Sequence, residues 1–208
     1  MPRTVIVLFA LLVVALGLPM TSSAQILINE VFYAGATAAD DWIELKNVGG
    51  TTVDVSSYWL CARFQYRQLS AMTLLDGAGL SIGPDDIITL QSWINLNGVS
   101  SDVGLYTSTS FASAGAMVDF VQYGTSADVG RSDVAWAANI WTRSSPTVYD
   151  FVATAGVGQS VAYGGVNSGA GGETLSGDWF NDIPTRGQEN LPVPVSVTTW
   201  GQIKSFYQ

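Results

Sequence analysis

The sequence predicts an all-β protein built as a sandwich of two antiparallel sheets, and three observations carry that expectation. Short apolar runs recur from residue 26 to residue 163, separated by Gly, Asp, Ser and Thr. Several of them alternate apolar and polar side chains, the two-residue period of a strand with one face on a core. The composition, with 22 Gly among 208 residues and many Thr, Ser and Val, favours strands and turns over helices.

Before the first strand lies an address. Arg3 precedes an unbroken apolar run from Val5 to Leu18, and Thr21-Ser22-Ser23-Ala24 follow. A basic start, an apolar stretch and small residues at the cut describe a secretory signal peptide over residues 1–24, leaving Gln25 as the new terminus. A retained anchor is the rival reading, but the run is shorter than the ~20 residues a membrane-spanning helix requires. No second long apolar stretch follows, so the expectation is a secreted or cell-surface chain with no membrane span once processed.

Ile26 to Tyr33 should form the first strand. Asp41 to Asn47 and Thr51 to Val55 read as the next two, joined by a turn at Val48-Gly49-Gly50. In Trp42-Ile43-Glu44-Leu45-Lys46, the residues Trp42, Glu44 and Lys46 share one face and Ile43 and Leu45 the other, which suits a sheet with one wet side. Tyr58 to Leu69 reads as one longer strand. Leu80-Ser81-Ile82 ends in a turn at Gly83-Pro84-Asp85-Asp86, and Ile87 to Leu90 reads as a buried strand. Val103 to Tyr106 and Met117 to Tyr123 form an expected hairpin around a small-residue loop. Ser132 to Trp141 fits either a short helix, with Val134, Trp136 and Ile140 aligned, or an irregular insertion. Gly158 to Tyr163 reads as a late strand, and Gly164 to Gly172 as a loop. That loop lacks the Gly-Lys-Ser/Thr ending of a phosphate-binding loop.

The order of these pieces resembles the lamin-tail domains of secreted bacterial proteins. The opening carries Ile28-Asn29-Glu30-Val31, Trp42-Ile43-Glu44-Leu45 and Asn47. Ile82, Pro84 and Ile87 to Leu90 match a strand ending in a Pro turn before an apolar strand. Asp102, Gly104, Leu105 and Tyr106 match an Asp-x-Gly-Leu strand, and Val118, Asp119, Val121, Tyr123 and Gly124 a Val-Asp-x-Val-x-Tyr-Gly strand. Gly158, Ser160, Trp179, Thr185, Gly187 and Asn190 match the closing segments. The resemblance covers most of residues 26–190. It departs at Ser57 and Tyr58, where Gly and Trp are more usual, at Asp85 in place of a turn Gly, at Arg186 in place of Pro, and in a long insertion over residues 125–157. It implies an immunoglobulin-like antiparallel β-sandwich and an adhesion or scaffolding role, with no shared catalytic residues.

Charge and residue content narrow the chemistry. The formal net charge is −9, one unit more negative once Arg3 leaves with the leader. Such a chain is repelled by phosphate backbones and anionic membranes, so no nucleic-acid partner is expected. The sequence contains no histidine, which removes Ser-His-Asp triads, Cys-His pairs and His-based metal sites. Cys61 stands alone, so the core must hold without an internal disulfide; it reads as a small buried apolar side chain rather than a reactive thiol. Glu30 and Glu44 could serve as an acid–base pair on neighbouring strands, against the plainer reading of polar residues on a solvated sheet face. Asp40-Asp41 and Asp85-Asp86 are weak candidates for calcium, which takes oxygen ligands from loops, although neither has the spacing of an EF-hand. Exposed aromatic rings could stack on sugars; Trp42, Trp59, Trp93, Trp136 and Trp141 read instead as core filling or end caps.

After Asn190 the composition shifts to an extended Pro-rich linker. Thr199 and Gln202 then form a capping box. Trp200, Ile203 and Tyr207 fall on one face of the short helix that follows, with Phe206 beside them. This tail either packs on its own domain or docks on a partner as an export, sorting or assembly signal. The organisation expected is therefore a signal peptide (1–24), a lamin-tail-like sandwich (25–190) and a linker with a short helical tail (191–208). The function expected is non-enzymatic adhesion, scaffolding or assembly at the cell surface, through a surface protein or glycan. A secreted glycan- or calcium-binding module is the alternative, and a small secreted hydrolase the third.

Overall fold

The computed structural model describes residues 26–33, 39–96, 99–124, 130–145, 148–165 and 176–190. The leader, the tail residues Trp200, Ile203, Phe206 and Tyr207, and most of the Gly164–Gly172 loop lie outside them. The first half of the described chain holds β1 (Ile26–Phe32), β2 (Trp42–Asn47), β3 (Val53–Asp54), β4 (Trp59–Ala62), β5 (Gln65–Gln68), β6 (Leu74–Asp76), β7 (Ser81–Ile82) and β8 (Ile87–Gln91). The second half holds β9 (Ser100–Tyr106), β10 (Met117–Gly124), the helix α1 (Ser132–Ala137), β11 (Arg143–Ser145), β12 (Val148–Tyr149), β13 (Val152–Ala153), β14 (Ser160–Tyr163) and β15 (Trp179–Asp182).

Two sheets dominate. One runs β15-β14-β1-β2-β8-β6 and the other β13-β10-β9-β4-β5, with the short ribbons β11–β12 and β3–β7 beside them. Their pairings are antiparallel except β10–β13. Ile28, Val31, Ile43, Leu45 and Leu90 of the first sheet join Leu60, Val103, Leu105, Phe120 and Val121 of the second in one buried cluster. The all-β, two-sheet character expected from the sequence is thus present. Among the described residues no helix is long and apolar enough to cross a membrane.

Strand β1 shows how sequence sets this packing. Strict alternation through Ile28-Asn29-Glu30-Val31 would put Ile28 and Val31 on opposite faces. The register against β2 shifts between Ile28 and Glu30, a bulge that adds one residue. Ile28 and Val31 then both reach the core, and Glu30 comes opposite Glu44. Phe32 stacks on Trp42 at 5.5 Å on the same outer side. A buried carboxylate ties the sheets together: Asp119 of β10 accepts the Ile28 N–H at 2.6 Å and the Phe120 N–H at 2.8 Å. Burial nevertheless pushes its acid up to about 7.

Several local expectations are corrected. Residues 58–69 are not one strand but the hairpin β4–β5, turning at Arg63-Phe64. The segment after Gly49-Gly50 does not pair with β2; β3 is two residues long and pairs with β7, while β2 lies between β1 and β8. The β9–β10 hairpin and the late strand β14 fall where the apolar pattern puts them; of the two readings open for residues 132–141, a short helix forms over Ser132–Ala137, with Ile140 beyond its end. Asp85 has φ +62°, a left-handed geometry that Gly adopts more readily than a side-chain-bearing residue. Trp42 and Trp141 are buried, but Trp136 is 41% exposed, with the Arg143 guanidinium 3.5 Å above its ring.

Candidate functional site

The expectation of a wet outer face on β2 fails, and its failure reveals a second layer of polar contacts. Residues 183–190 cross that face as a strap, so Glu30 and Glu44 are fully buried rather than solvated. Glu30 accepts hydrogen bonds from the Thr185 hydroxyl (2.8 Å), the Thr185 N–H (3.2 Å) and the Ser160 hydroxyl. Glu44 accepts from the Gly187 N–H (2.6 Å), the Asn29 amide (2.7 Å) and the Thr89 hydroxyl (3.2 Å). The Asn190 amide donates to the carbonyls of Asn29 and Tyr163 at 2.9 and 2.8 Å. Ion pairs flank the strap: Lys46 with Glu189 at 2.6 Å, and Arg186 with Asp76 at 2.9 Å.

Burial raises the acids of both glutamates. At Glu30 the hydrogen bonds from Ser160 and Thr185 pull part of the shift back, and the charge of Asp182 adds to it. At Glu44 the acid reaches about 7 despite the bonds from Asn29 and Gly187, with the charge of Glu30 adding to burial. Two carboxylates in direct register under a cover cannot both stay ionised without cost. Each oxygen is already engaged in joining the strap or a neighbouring strand to the sheet. The arrangement clamps a chain segment.

The aspartate pairs sit apart. Asp40 and Asp41 precede β2, whereas Asp85 and Asp86 bond to Asn47 at its other end, about 20 Å away along six strand residues. Asp41 is buried: its carboxylate accepts the Leu96 N–H at 2.7 Å and its carbonyl the Ser92 N–H at 2.9 Å. Asp86 accepts the Gly83 N–H at 3.2 Å in the exposed turn that Asp85 shapes. Among the described residues no group of three or more acidic or Cys side chains is placed to hold a metal ion. Cys61 is buried, and desolvation pushes its thiol up to about 12.

One cluster escaped sequence reasoning altogether. The β4–β5 turn places Arg63 at φ +50° and Phe64 at φ +62°, the geometry of a two-residue turn that Asn-Gly normally supplies. No Gly, Asn or Pro marks it, which is why residues 58–69 read as continuous strand. The turn is held by Asp102 of β9, whose buried carboxylate accepts the Arg63 N–H at 2.7 Å and the Arg131 N–H at 3.0 Å. Burial pushes that acid up to about 6 against the pull of these two bonds. One carboxylate thus sets both the hairpin tip and the residue leading into α1.

The side chains above it form an aromatic–cationic surface. The Arg131 guanidinium lies 5.0 Å from the centre of the Phe64 ring and 5.8 Å from that of Tyr66, and donates to the Tyr66 hydroxyl at 2.5 Å. Tyr66 stacks on Phe111 at 3.9 Å with 16° between planes. Phe111 is braced edge-on by Trp59 and Tyr106. An open depression of about 520 Å³ lies here, lined by Thr109, Ser110, Phe111, Ala112, Ser113 and Arg131. Phe64 is 55% exposed beside it. Comparison with protein-family models, curated proteins and solved structures finds no match for this chain.

Proposed function

We propose that this chain is an exported, non-enzymatic recognition module, a lamin-tail-type sandwich that mediates adhesion or assembly at the cell surface. The Phe64–Tyr66–Phe111–Arg131 cluster is its contact surface. The observation that carries this reading is Phe64 itself. A large apolar side chain stands half in water on a left-handed turn that disfavours it, and backbone strain of this kind points to function rather than to packing. The aromatic and arginine content is that of binding hot spots. The buried carboxylates support the non-enzymatic half of the reading, because their oxygens bind backbone and side-chain donors that hold strands and strap in place.

The test is adsorption of the labelled, processed protein to cell envelopes of the organism that encodes it. Replacement of Phe64 by Ala should weaken adsorption about tenfold, the loss expected for a central aromatic contact, and leave the circular-dichroism spectrum unchanged. Equal adsorption of both proteins would refute the assignment of the surface. Calorimetry with calcium addresses the aspartate pairs, and heat of binding abolished by Asp85→Asn would favour the cation-binding alternative.

A further inference from the structure

We propose that the Phe64–Arg131 surface binds acidic saccharides, with the guanidinium taking the carboxylate of a uronic acid and the ring faces taking the C–H face of a pyranose. The inference deepens the recognition reading above and rests on it. Three features of the cluster favour this ligand chemistry.

The first is a guanidinium without an ion pair. Lys46 and Arg186 pair with acids, whereas among the described residues Arg131 makes no ion pair. It is flanked by rings, and of its five N–H donors one goes to Tyr66. In a chain of net charge −9, a partly exposed guanidinium whose neighbouring carboxylate, Asp102, is buried and engaged by backbone N–H groups can attract an external anion, and its fork matches the two oxygens of a carboxylate. The second is ring geometry. Phe64, 55% exposed, offers an apolar ring beside that charge, backed by the Tyr66–Phe111 stack, and such a ring suits the flat C–H face of a sugar. The third is the rim. Thr109, Ser110 and Ser113 line an open depression of about 520 Å³ beside Phe111 and Arg131, so hydroxyl-bearing residues border the charge. Hydroxyl, ring face and guanidinium together fit a polyhydroxylated anion better than an extended acidic peptide, whose backbone calls for a free strand edge.

The experiment is titration calorimetry of the processed protein with trigalacturonate, its methyl ester, maltotriose and a hexaglutamate peptide. Trigalacturonate should bind, and the ester and maltotriose should bind at least about tenfold more weakly, one charge-assisted contact being lost. Arg131→Gln should weaken trigalacturonate binding about tenfold. Phe64→Gly should weaken it as well while raising the melting temperature, because Gly relieves the left-handed turn. That opposite movement separates a binding role from misfolding. Equal binding of the ester, or equal or tighter binding of hexaglutamate, would overturn the saccharide assignment. No trigalacturonate binding alongside Phe64-dependent envelope adsorption would overturn the ligand class and leave the recognition reading standing. If adsorption were also independent of Phe64, both would fall.

Discussion

Gly130 shows how narrowly single residues are constrained around the candidate surface. It sits at φ +87°, and a Cβ there would lie 2.2 Å from the Asp102 carboxylate. Gly130→Ala must therefore strain the backbone and displace the acid that holds both Arg63 and Arg131. We expect a loss of about 2–4 kcal/mol, from left-handed strain together with two disturbed buried hydrogen bonds. Urea denaturation measures it, and a change below about 1 kcal/mol would show that Asp102 is not the fulcrum described. Cys61 gives the complementary case. Its thiol is buried and held protonated, so a thiol reagent should label the native protein far more slowly than the urea-unfolded one. Fast labelling in native buffer would contradict the core packing around β4. At this scale the sequence was informative about Cys61, whereas Asp102 was noticed only through the family resemblance and its partners were hidden. A lone cysteine between apolar neighbours reads as core, whereas the partners of a buried aspartate are 29 and 39 residues away.

Among the elements, the strap over residues 183–190 departs most from what strand periodicity conveys. Alternation in β2 separates two faces but carries no information about what covers the second. The closing residues Thr185, Gly187 and Asn190 were noticed only through the family resemblance, and the contacts give them physical roles. Thr185 and Gly187 donate to the two buried glutamates, and Asn190 bonds to β1 and β14. Gly187 has φ +73°, and an added Cβ would come 3.2 Å from Cβ of Asp76. Gly187→Ala should loosen the strap without unfolding the sheets. Hydrogen exchange at residues 185–187 should quicken about tenfold or more, the equivalent of ~1.4 kcal/mol of local stability, while β9 and β10 keep their protection. Unchanged exchange would mean that the strap is held elsewhere. The bulge at Asn29 and the turn at Arg63-Phe64 were illegible for a related reason. Neither carries a Gly or Pro, and both are imposed by long-range partners. The β9–β10 hairpin was legible because Val103 to Tyr106 and Met117 to Tyr123 are two apolar-rich runs separated by a loop of small residues, and both strands are buried almost throughout.

For the whole molecule, the buried acids set a direction for stability with pH. Glu44 and Asp119 titrate near 7 and Asp102 near 6 in the folded chain, against ordinary values of about 4 when unfolded. The folded state therefore binds protons more tightly than the unfolded one across that window. The contribution of these acids to stability is full below about pH 4 and is lost progressively as pH rises from there through 6 and 7. The net negative charge works in the same direction, since neutralising it at lower pH reduces self-repulsion. The urea midpoint should increase from pH 8 to pH 5, and Glu44→Gln should flatten part of that slope. A midpoint that is highest at pH 8 would contradict the burial of these groups. The broad architecture was the most legible property of the chain, because two-residue periodicity and composition are summed over many strands and tolerate local errors. The contact surface was the least legible, because it is assembled from three separate segments whose proximity no single stretch encodes.

The Asn190 side chain also has a mechanical meaning. It is the last described tie between the strap and the sheet, joined to carbonyls on two different strands. Within the described strap, tension drawn back along the chain from Asn190 would load that amide first, then the Lys46–Glu189 ion pair, then Gly187 and Thr185 in turn. The sandwich would yield to such a pull by peeling, one clasp after another, before its hydrophobic interior felt the load.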